Sequence, residues 1–239
     1  MRQLEVRDLK AGYSRDIDIL SGLSVTARPS QLTTIIGANG VGKSTLLKTI
    51  IGQLAVREGS IRYGERDLAG VATRELVSIG IAYVPQGHAL FKDMTVAENI
   101  EIATWSFRSD KERARRARRR LFERAPYLED FRQRRAGLMS GGQQRLMQLE
   151  LALMSDPELI LIDEPTVGLD PKRAEVIYTH LRQLVKDEGR TILMVDQNVI
   201  AGTEVADYIY VLELGSNKLE GTRAEFDETY RDTIADWLF

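Results

Sequence analysis

Short apolar runs alternate along the chain with longer stretches in which apolar residues recur at helical spacing. The runs predict strands at 3–8, 23–27, 31–36, 60–63, 80–84, 159–162, 191–195 and 208–212. Helical spacing predicts helices at 43–52, at about 140–155 and at 171–186, with a turn at 214–218 and a short helix after it. Because strands and helices alternate, we expect a largely parallel sheet with helices on both faces.

The stretch from about 93 to 155 interrupts this alternation. It is polar and helical in pattern and contains no buried-strand run, whereas strand patterns resume after it. No internal repeat and no low-complexity linker divides the chain. We therefore expect a single domain over 1–239, with 93–155 as a helical subdomain inserted in its core.

Composition narrows the class of protein. The chain has 239 residues, enough for folding to bury roughly 70–75% of the unfolded surface without a disulfide or metal. It contains no cysteine, which excludes thiol catalysis, zinc ribbons and iron–sulfur clusters and fits a reducing compartment. No apolar run approaches the ~18 residues of a membrane span, and the first residues do not resemble a signal peptide. We therefore expect a soluble, cytoplasmic protein.

Charge is distributed unevenly along the chain. The formal net charge is −2, yet residues 111–135 hold eleven Lys or Arg against four Asp or Glu. A block this basic fits nucleic acid or anionic headgroups, but it also fits a solvated helix face in an accessory subdomain, which we favour. No aromatic side chain interleaves with the arginines of 111–120 to stack on bases.

A glycine-rich turn follows the apolar run 31–36 and opens the helix predicted at 43–52. It matches the phosphate-loop pattern Gly-x-x-x-x-Gly-Lys-Ser in full, with the strand before and the helix after that the pattern requires. The glycines let backbone N–H groups surround phosphate oxygens at a helix N-terminus. We expect Lys43 to contact the β- and γ-phosphates and Ser44 to bind Mg²⁺. The residues expected to hold the nucleotide are Gly37, Ala38, Asn39, Gly40, Val41, Gly42, Lys43, Ser44 and Thr45.

Two carboxylates, Asp163 and Glu164, end a strand of continuous apolar residues. Such a strand is buried on both faces, where carboxylates are costly unless a counter-charge compensates them, so a metal ion and a polarised water are the natural explanation. We expect Asp163 to hold Mg²⁺, directly or through water. We expect Glu164 to orient or deprotonate the water that attacks the γ-phosphorus.

Ser140-Gly141-Gly142-Gln143 lies where the helix at about 140–155 begins. Ser140 suits an N-cap, so these four residues taken alone predict a cap and turn as readily as a binding site. Beside Lys43 and Asp163, they favour an anion site aimed at a γ-phosphate.

With these motifs together, the chain resembles the ATP-binding-cassette (ABC) ATPases over essentially its whole length. The resemblance implies an α/β P-loop NTPase core with a mainly parallel sheet, an N-terminal antiparallel β part and the inserted helical subdomain. It implies that the segment from Ser140 to Gln143 contacts the ATP of a partner subunit. It also implies that Tyr13 stacks on adenine, that Gln86 contacts Mg²⁺ and links the site to a transmembrane partner, and that Asp170 contacts the second cassette.

One position departs from the family pattern. Most members carry a histidine that contacts the γ-phosphate after the strand equivalent to 191–195, whereas this chain has Gln197 there. An amide can donate a hydrogen bond to a phosphate oxygen but carries no titratable charge, so we expect weaker activity or more dependence on the partner's site. Unless it only ends the strand, Gln197 joins Lys43, Gln86 and Glu164 as the expected catalytic residues.

Further segments narrow the resemblance to one subfamily: Asp196-Gln197-Asn198, Met94-Thr95-Val96-Ala97-Glu98-Asn99 and Arg135-Ala136-Gly137-Leu138-Met139. They resemble the second ATPase subunit of branched-chain amino acid importers. That subfamily also includes importers of urea, short amides and other amino acids. Gln86 departs from its pattern, since the subfamily often has glutamate at this position.

The resemblance implies a peripheral ATPase on the cytoplasmic face of the plasma membrane, with ATP and Mg²⁺ as cofactors. Its expected partners are transmembrane permeases, a second ABC ATPase subunit (a related chain or a second copy) and, indirectly, an extracytoplasmic solute-binding protein. A soluble cassette protein acting on nucleic acid or ribosomes is a competing hypothesis that rests on the basic block alone, and a soluble assembly ATPase is another. Nucleic acid is the less expected partner, because the chain has neither tandem cassettes nor zinc-binding cysteines.

Overall fold

The structure is a computed structural model and describes residues 1–14, 16–87 and 89–227. Within those ranges the strands are β1 (Leu4–Ala11), β2 (Leu20–Ala27), β3 (Leu32–Ile36), β4 (Glu58–Tyr63), β5 (Arg66–Asp67), β6 (Ile81–Val84), β7 (Leu159–Asp163), β8 (Thr191–Val195), β9 (Tyr208–Glu213) and β10 (Ser216–Thr222). The helices are α1 (Lys43–Ile50), α2 (Thr73–Leu76), α3 (Val96–Ala103), α4 (Lys111–Arg124), α5 (Tyr127–Asp130), α6 (Gly141–Leu153), α7 (Pro171–Glu188), α8 (Val199–Val205) and α9 (Arg223–Glu225).

A six-stranded sheet forms the centre of the described chain, in the order β10-β9-β3-β8-β7-β6. All neighbouring strands from β9 to β6 pair in parallel, and β10 returns antiparallel to β9. The turn between β9 and β10 holds Leu214 and Gly215 at φ of 49° and 79°, the left-handed pair that a two-residue hairpin favours. β3, β7 and β8 are buried at every position, as expected of central strands with both faces covered.

A second sheet, in the order β2-β1-β4-β5, is antiparallel throughout. Together with one face of the central sheet it encloses α1, in a hydrophobic cluster that includes Leu23 of β2, Leu47 of α1 and Leu161 of β7. The opposite face of the central sheet is covered by α6 and α7, which contribute Leu149 and Leu181 to a second cluster. The core therefore lies in two layers, one on each face of the parallel sheet.

The helices between β6 and β7 build a third hydrophobic cluster of their own, and we call the region 96–153 the helical lobe. Ile100 of α3, Leu121 of α4 and Met147 of α6 are buried in this cluster. α6 also contributes Leu149 and Leu153 to the cluster on the central sheet. The lobe is thus attached to the sheet through α6, which has apolar residues on both sides.

The mainly parallel sheet and the N-terminal antiparallel sheet confirm the fold class expected from the sequence. The sequence does not predict β5, α2, α8 or β10, because these elements are too short or too exposed to carry a periodic pattern. The expected C-terminal helix appears as the short α9, and the rest of that segment, from 228, lies outside the described residues. Among the described residues, no helix combines the length and the apolar character needed to cross a membrane.

Candidate active site

Residues singled out from the sequence in the loop after β3 and at the ends of β7 and β8 converge at one edge of the central sheet. β3, β7 and β8 are parallel, so their carboxyl ends lie at the same edge. The loop after β3 carries residues 37–42, β7 ends at Asp163, and β8 is followed by Asp196 and Gln197. This is the edge at which open parallel sheets bind ligands.

The loop after β3 is tied together by Lys43. Lys43 is a buried residue (4% exposed), and its ammonium group donates hydrogen bonds to the carbonyl oxygens of Gly37 at 2.7 Å and Ala38 at 3.1 Å. Gly42, just before α1, has a φ of 110°, and a Cβ there would lie 2.6 Å from a methyl carbon of Leu20. The turn is therefore closed to other residues at this point, as a loop that presents its backbone to phosphate oxygens requires.

Ser44 in the first turn of α1 faces Asp163 at the end of β7. The Ser44 hydroxyl donates a hydrogen bond to Asp163 Oδ1 at 3.0 Å, and the Tyr83 hydroxyl of β6 donates to Oδ2 at 3.3 Å. Burial raises the pKa of Asp163, and the hydrogen bonds from Ser44 and Tyr83 oppose that rise. No sequence pattern identifies Tyr83 as a site residue, because only the pairing of β6 with β7 brings its hydroxyl to the Asp163 carboxylate.

Glu164 follows β7 directly, with its backbone in the left-handed region at a φ of 46°. Its N–H group donates to the carbonyl oxygen of Val195 at 2.9 Å, and its carboxylate accepts a short hydrogen bond from Gln86 Nε2. Burial raises the pKa of Glu164, while the nearby Lys43 ammonium opposes the shift. The structure thus brings Gln86 and Glu164, identified separately in the sequence, into direct contact.

A third buried carboxylate, Asp196, lies next to Gln197. The Tyr178 hydroxyl of α7 donates a hydrogen bond to Asp196 Oδ2 at 2.7 Å and lies 2.9 Å from the Thr166 hydroxyl. Asp196 Oδ1 accepts a hydrogen bond from the N–H of Asn198 at 2.9 Å. Burial raises the pKa of Asp196 against the effect of these hydrogen bonds. The chain of contacts joins the loop after β7 to the loop after β8, although sequence patterns mark Tyr178 only as a core residue.

Gln197 and Tyr13 are both accessible. Gln197 is exposed and borders a groove of about 740 Å³ along α7 and α8 and a cavity of about 390 Å³ beside the loop after β3. Tyr13 is 61% exposed, and its hydroxyl accepts a hydrogen bond from Lys48 Nζ of α1 at 3.1 Å. Both side chains can therefore meet a molecule bound at the N-terminus of α1.

The Ser-Gly-Gly-Gln segment forms the start of α6. Ser140 and Gln143 make a reciprocal capping box, with hydrogen bonds of 3.0 and 3.4 Å between each side chain and the other's N–H. Asp170 caps α7 by accepting from the N–H of Arg173, and a Cβ on Gly142 would lie 3.2 Å from the Arg173 side chain. The starts of α6 and α7 are therefore neighbours. Within the described ranges, no hydrogen bond or ion pair joins this segment to the loop after β3.

The donor set at the sheet edge fits a magnesium nucleotide. The Ser44 hydroxyl and the Asp163 carboxylate are hard oxygen ligands 3.0 Å apart, and Mg²⁺ in phosphate sites takes one or two such ligands beside phosphates and waters. The described part of the chain holds no group of three or more acidic, histidine or cysteine side chains that could enclose a metal. Phosphates and waters from outside the chain would supply the other ligands of such an ion.

The first part of the basic block, Lys111–Arg124, forms α4. Ala117 and Leu121 face the interior of the helical lobe, whereas Arg116, Arg118 and Arg119 are exposed. This arrangement is that of a solvated helix face.

A phosphate loop, an Asp-Glu strand end and a capped Ser-Gly-Gly-Gln helix start on this fold define an ATP-binding cassette. The family model described as ABC transporter matches residues 20–167, more than half of the chain, and the chain belongs to this family of ATPases. It is similar to the high-affinity branched-chain amino acid transport ATP-binding protein BraG of Pseudomonas aeruginosa, with 38% identity over 91% of this chain and 92% of that protein. It is also similar to the probable branched-chain amino acid transport ATP-binding protein LivF of Archaeoglobus fulgidus, with 34% identity over 92% of each.

Solved structures of ATP-binding cassettes are also similar to this chain. An ATP-binding cassette of an ABC transporter in its ADP conformation matches with a TM-score of 0.84 at 29% identity, covering 98% of each chain. A dimeric cassette in a post-hydrolysis state, bound to ADP and phosphate, matches with a TM-score of 0.78 at 25% identity, covering 92% of this chain and 98% of that chain. Nucleotide binding is a property of both of those proteins, and dimerisation of the second.

Proposed function

We propose that this chain is the ATP-hydrolysing subunit of an importer for branched-chain or related amino acids. ATP hydrolysis is supported by two hydrogen-bonded pairs at one edge of the central sheet, Ser44 with Asp163 and Gln86 with Glu164. The likeness to BraG and LivF along most of the chain supports the solute class.

In this proposal ATP lies against the loop after β3, with Tyr13 stacked on the adenine. Lys43 exchanges its two carbonyl acceptors for β- and γ-phosphate oxygens, and bonds to charged acceptors are stronger than those to neutral ones. The residues that hold ATP are Gly37, Ala38, Asn39, Gly40, Val41, Gly42, Lys43, Ser44 and Thr45.

Ser44, Gln86 and Asp163 form the proposed Mg²⁺ site. The ion, when bound there, neutralises charge on the β- and γ-phosphates. Tyr83 holds the second oxygen of Asp163, which leaves the first directed towards Ser44.

Glu164 acts on the attacking water. Because burial raises its pKa, the carboxylate is a better acceptor for the water's proton than an exposed glutamate. Gln86 orients that carboxylate through its amide. Lys43 and the Gln197 amide donate to γ-phosphate oxygens, and the products are ADP and phosphate.

Two chains, either two copies or this chain and a related one, sandwich two ATP molecules in this proposal. Ser140, Gly141, Gly142 and Gln143 of one chain contact the ATP bound by the other, and Asp170 contacts the opposite chain. The segment is supported in this role by its place at a helix N-terminus, which favours anions, and by the dimer of a solved relative.

The two chains close on ATP and reopen after hydrolysis, and this movement drives transmembrane permeases through the segment 86–95. In this proposal the subunit therefore lies on the cytoplasmic face of the plasma membrane. An extracytoplasmic solute-binding protein delivers the solute. Residues 1–239 form one domain in this proposal, with 93–155 as its inserted helical subdomain.

An importer of another small solute is the second candidate, favoured by matches to relatives named for phosphonate and glycerol 3-phosphate import at 33% and 29% identity.

Glu164→Gln tests the catalytic assignment. The amide cannot accept a proton, so the variant should bind ATP normally but accumulate as a nucleotide-sandwiched dimer. Gel filtration with MgATP measures the dimer, and phosphate release measures turnover. Glu158→Gln, at a partly exposed glutamate paired with Arg2, is the control and should behave as wild type. Normal hydrolysis by Glu164→Gln would contradict the assignment.

The transport assignment is tested by purifying the chain with its native partners. We expect hydrophobic permeases to accompany it, and ATP-dependent uptake of radiolabelled leucine once they are reconstituted in vesicles. Uptake of urea but not leucine would favour the second candidate function, import of another small solute. Recovery of ribosomes or DNA without permeases would contradict transport.

A further inference from the structure

α6 carries a buried arginine, Arg145, two residues beyond the Ser-Gly-Gly-Gln segment. It is 9% exposed, and no carboxylate of the described residues pairs with its guanidinium group. Burial lowers its pKa, although the charges of Asp163 and Asp196 oppose the shift. A charge in this position is costly unless its N–H groups all find acceptors.

All five N–H groups of Arg145 do find acceptors. They donate to the carbonyl oxygens of Pro165 (2.7 Å), Glu164 (2.9 Å), Asp163 (3.0 Å) and Pro85 (2.9 Å) and to Gln148 Oε1 (2.8 Å). Three of these acceptors are consecutive carbonyls at the end of β7, and a fourth belongs to the residue before Gln86. The guanidinium thus joins α6 to both chain segments that supply the proposed catalytic pair.

Glu164 is the residue whose backbone these bonds hold. Its φ of 46° lies in a region that residues with a Cβ occupy only where the surroundings fix them. Arg145 binds the carbonyl of Glu164 and the carbonyls on either side of it. Because the fork of N–H groups is planar and rigid, it fixes the peptide planes that direct the Glu164 side chain.

Gln148, on the next turn of α6, holds the other member of the pair. Its Nε2 donates to the carbonyl oxygens of the residues on either side of Gln86, at 3.2 and 3.1 Å. The Gln86 amide in turn donates to the Glu164 carboxylate. One face of α6 therefore holds both ends of the contact between Gln86 and Glu164.

We propose that Arg145 is a positioning residue that couples the start of α6 to Glu164 of the same chain. The proposal rests on the proposed function, in which the start of α6 contacts the ATP of the partner subunit. α6 is a continuous helix, so a movement of its first turn reaches the Glu164 peptide through the guanidinium. Each site thereby responds to the ATP held in the other.

Arg145→Lys separates the geometry of the contact from its charge. A lysine keeps the positive charge but has three donors on one nitrogen, which cannot reach carbonyls on two chain segments at once. Arg190→Lys is the control for a largely buried arginine away from the site: the Arg190 side chain is 13% exposed, and its guanidinium binds the carbonyl of Pro157 and the carboxylates of Asp156 and Glu188.

ATP turnover, KM and equilibrium ATP binding are measured for the full-length chain well below its unfolding temperature. We expect Arg145→Lys to lower kcat by about ten- to a hundredfold, because a small misplacement of the catalytic group is enough. KM and ATP affinity should change by less than about twofold, since the loop after β3 is untouched. Arg190→Lys should lower stability and keep the wild-type kcat. An Arg145→Lys variant with the wild-type kcat would overturn the proposal.

A double-mutant cycle distinguishes positioning from general damage. With Glu164→Gln already present there is no carboxylate to misplace, so adding Arg145→Lys should leave the residual single-turnover rate unchanged. An equal fall in both backgrounds would overturn the role of Arg145.

If Arg145→Lys does not fold, Gln148→Leu is used in the same cycle. We expect it to lower kcat by a smaller factor, and an unchanged kcat would overturn the coupling. Absence of turnover in the wild type would instead overturn the proposed function, and the role of Arg145 with it.

Discussion

At the scale of single residues, the site buries more negative than positive charge. Burial raises the pKa values of Asp163, Glu164 and Asp196, and lowers those of Lys43 and Arg145. Three carboxylates against two cations leave a negative excess, and every carboxylate is held by hydrogen bonds. A divalent cation beside the phosphates balances such an excess better than protein groups alone.

The Asp196 carboxylate should make stability depend on pH. Its pKa is raised in the folded chain above the unfolded value of about 3.9, so the folded state binds more protons between those two values. The contribution of this group to stability therefore falls as pH rises from about 4 through the folded pKa and is constant above it. Asp196→Asn keeps the shape and removes the titration, so the unfolding free energy should fall less steeply over this range. Urea unfolding at a series of pH values measures the slopes, and equal slopes would contradict the prediction.

At the scale of elements, α6 connects the helical lobe, the central sheet and the site. Its first turn is the Ser-Gly-Gly-Gln segment, Met147 packs in the helical lobe, Leu149 packs on the central sheet, and Arg145 reaches the end of β7. A helix with apolar residues on both sides cannot shift alone without uncovering one cluster or the other. Movements of the lobe and of the strand end are therefore linked through this helix.

Ser140→Ala separates the capping role of the Ser-Gly-Gly-Gln segment from its proposed contact with ATP. Loss of either the Ser140 cap or the Asp110 cap of α4 should cost about 1 kcal/mol, because each side chain accepts a hydrogen bond from a backbone N–H. Ser140→Ala alone should lower ATP turnover, while ATP affinity of the isolated chain stays unchanged because the contact is made across the dimer. Thermal unfolding and phosphate release are the measurements. Equal turnover in Ser140→Ala and Asp110→Ala would contradict the contact.

At the scale of the whole molecule, the described chain is built on three hydrophobic clusters. Two lie on opposite faces of the central sheet, and the third lies in the helical lobe. The chain leaves the central sheet after β6 and re-enters it at β7, so the lobe is inserted between two neighbouring strands. This architecture supports the proposal of a helical subdomain within one domain.

Leu121→Ala tests whether the helical lobe opens as a unit. Leu121 is fully buried in the lobe, so its truncation should cost about 2–5 kcal/mol. Amide hydrogen exchange should then rise across 96–139 and stay low in β3, β7 and β8. Leu161→Ala in β7 is the control and should raise exchange in both regions. A uniform rise in Leu121→Ala would contradict a separate subdomain.

The sequence by itself determined the parts that are contiguous in the chain. The phosphate loop up to Ser44, the strand ending in Asp163 and Glu164, and the capped start of α6 each lie in one short pattern whose physical meaning is local. Alternating strand and helix patterns also determined the parallel sheet, because short connections place successive elements side by side. Parallel strands then put the motif residues at one edge.

Only the tertiary structure decided which side chains support those motifs. Tyr83, Tyr178 and Arg145 occupy positions that local patterns mark as strand or helix interior, and their partners lie far away in sequence. Packing of β6 against β7 and of α6 and α7 against the sheet brings their polar atoms to Asp163, Asp196 and the backbone of Glu164. A buried donor must find an acceptor, yet which acceptor it finds depends on how the elements pack, and periodicity along one element carries no information about that.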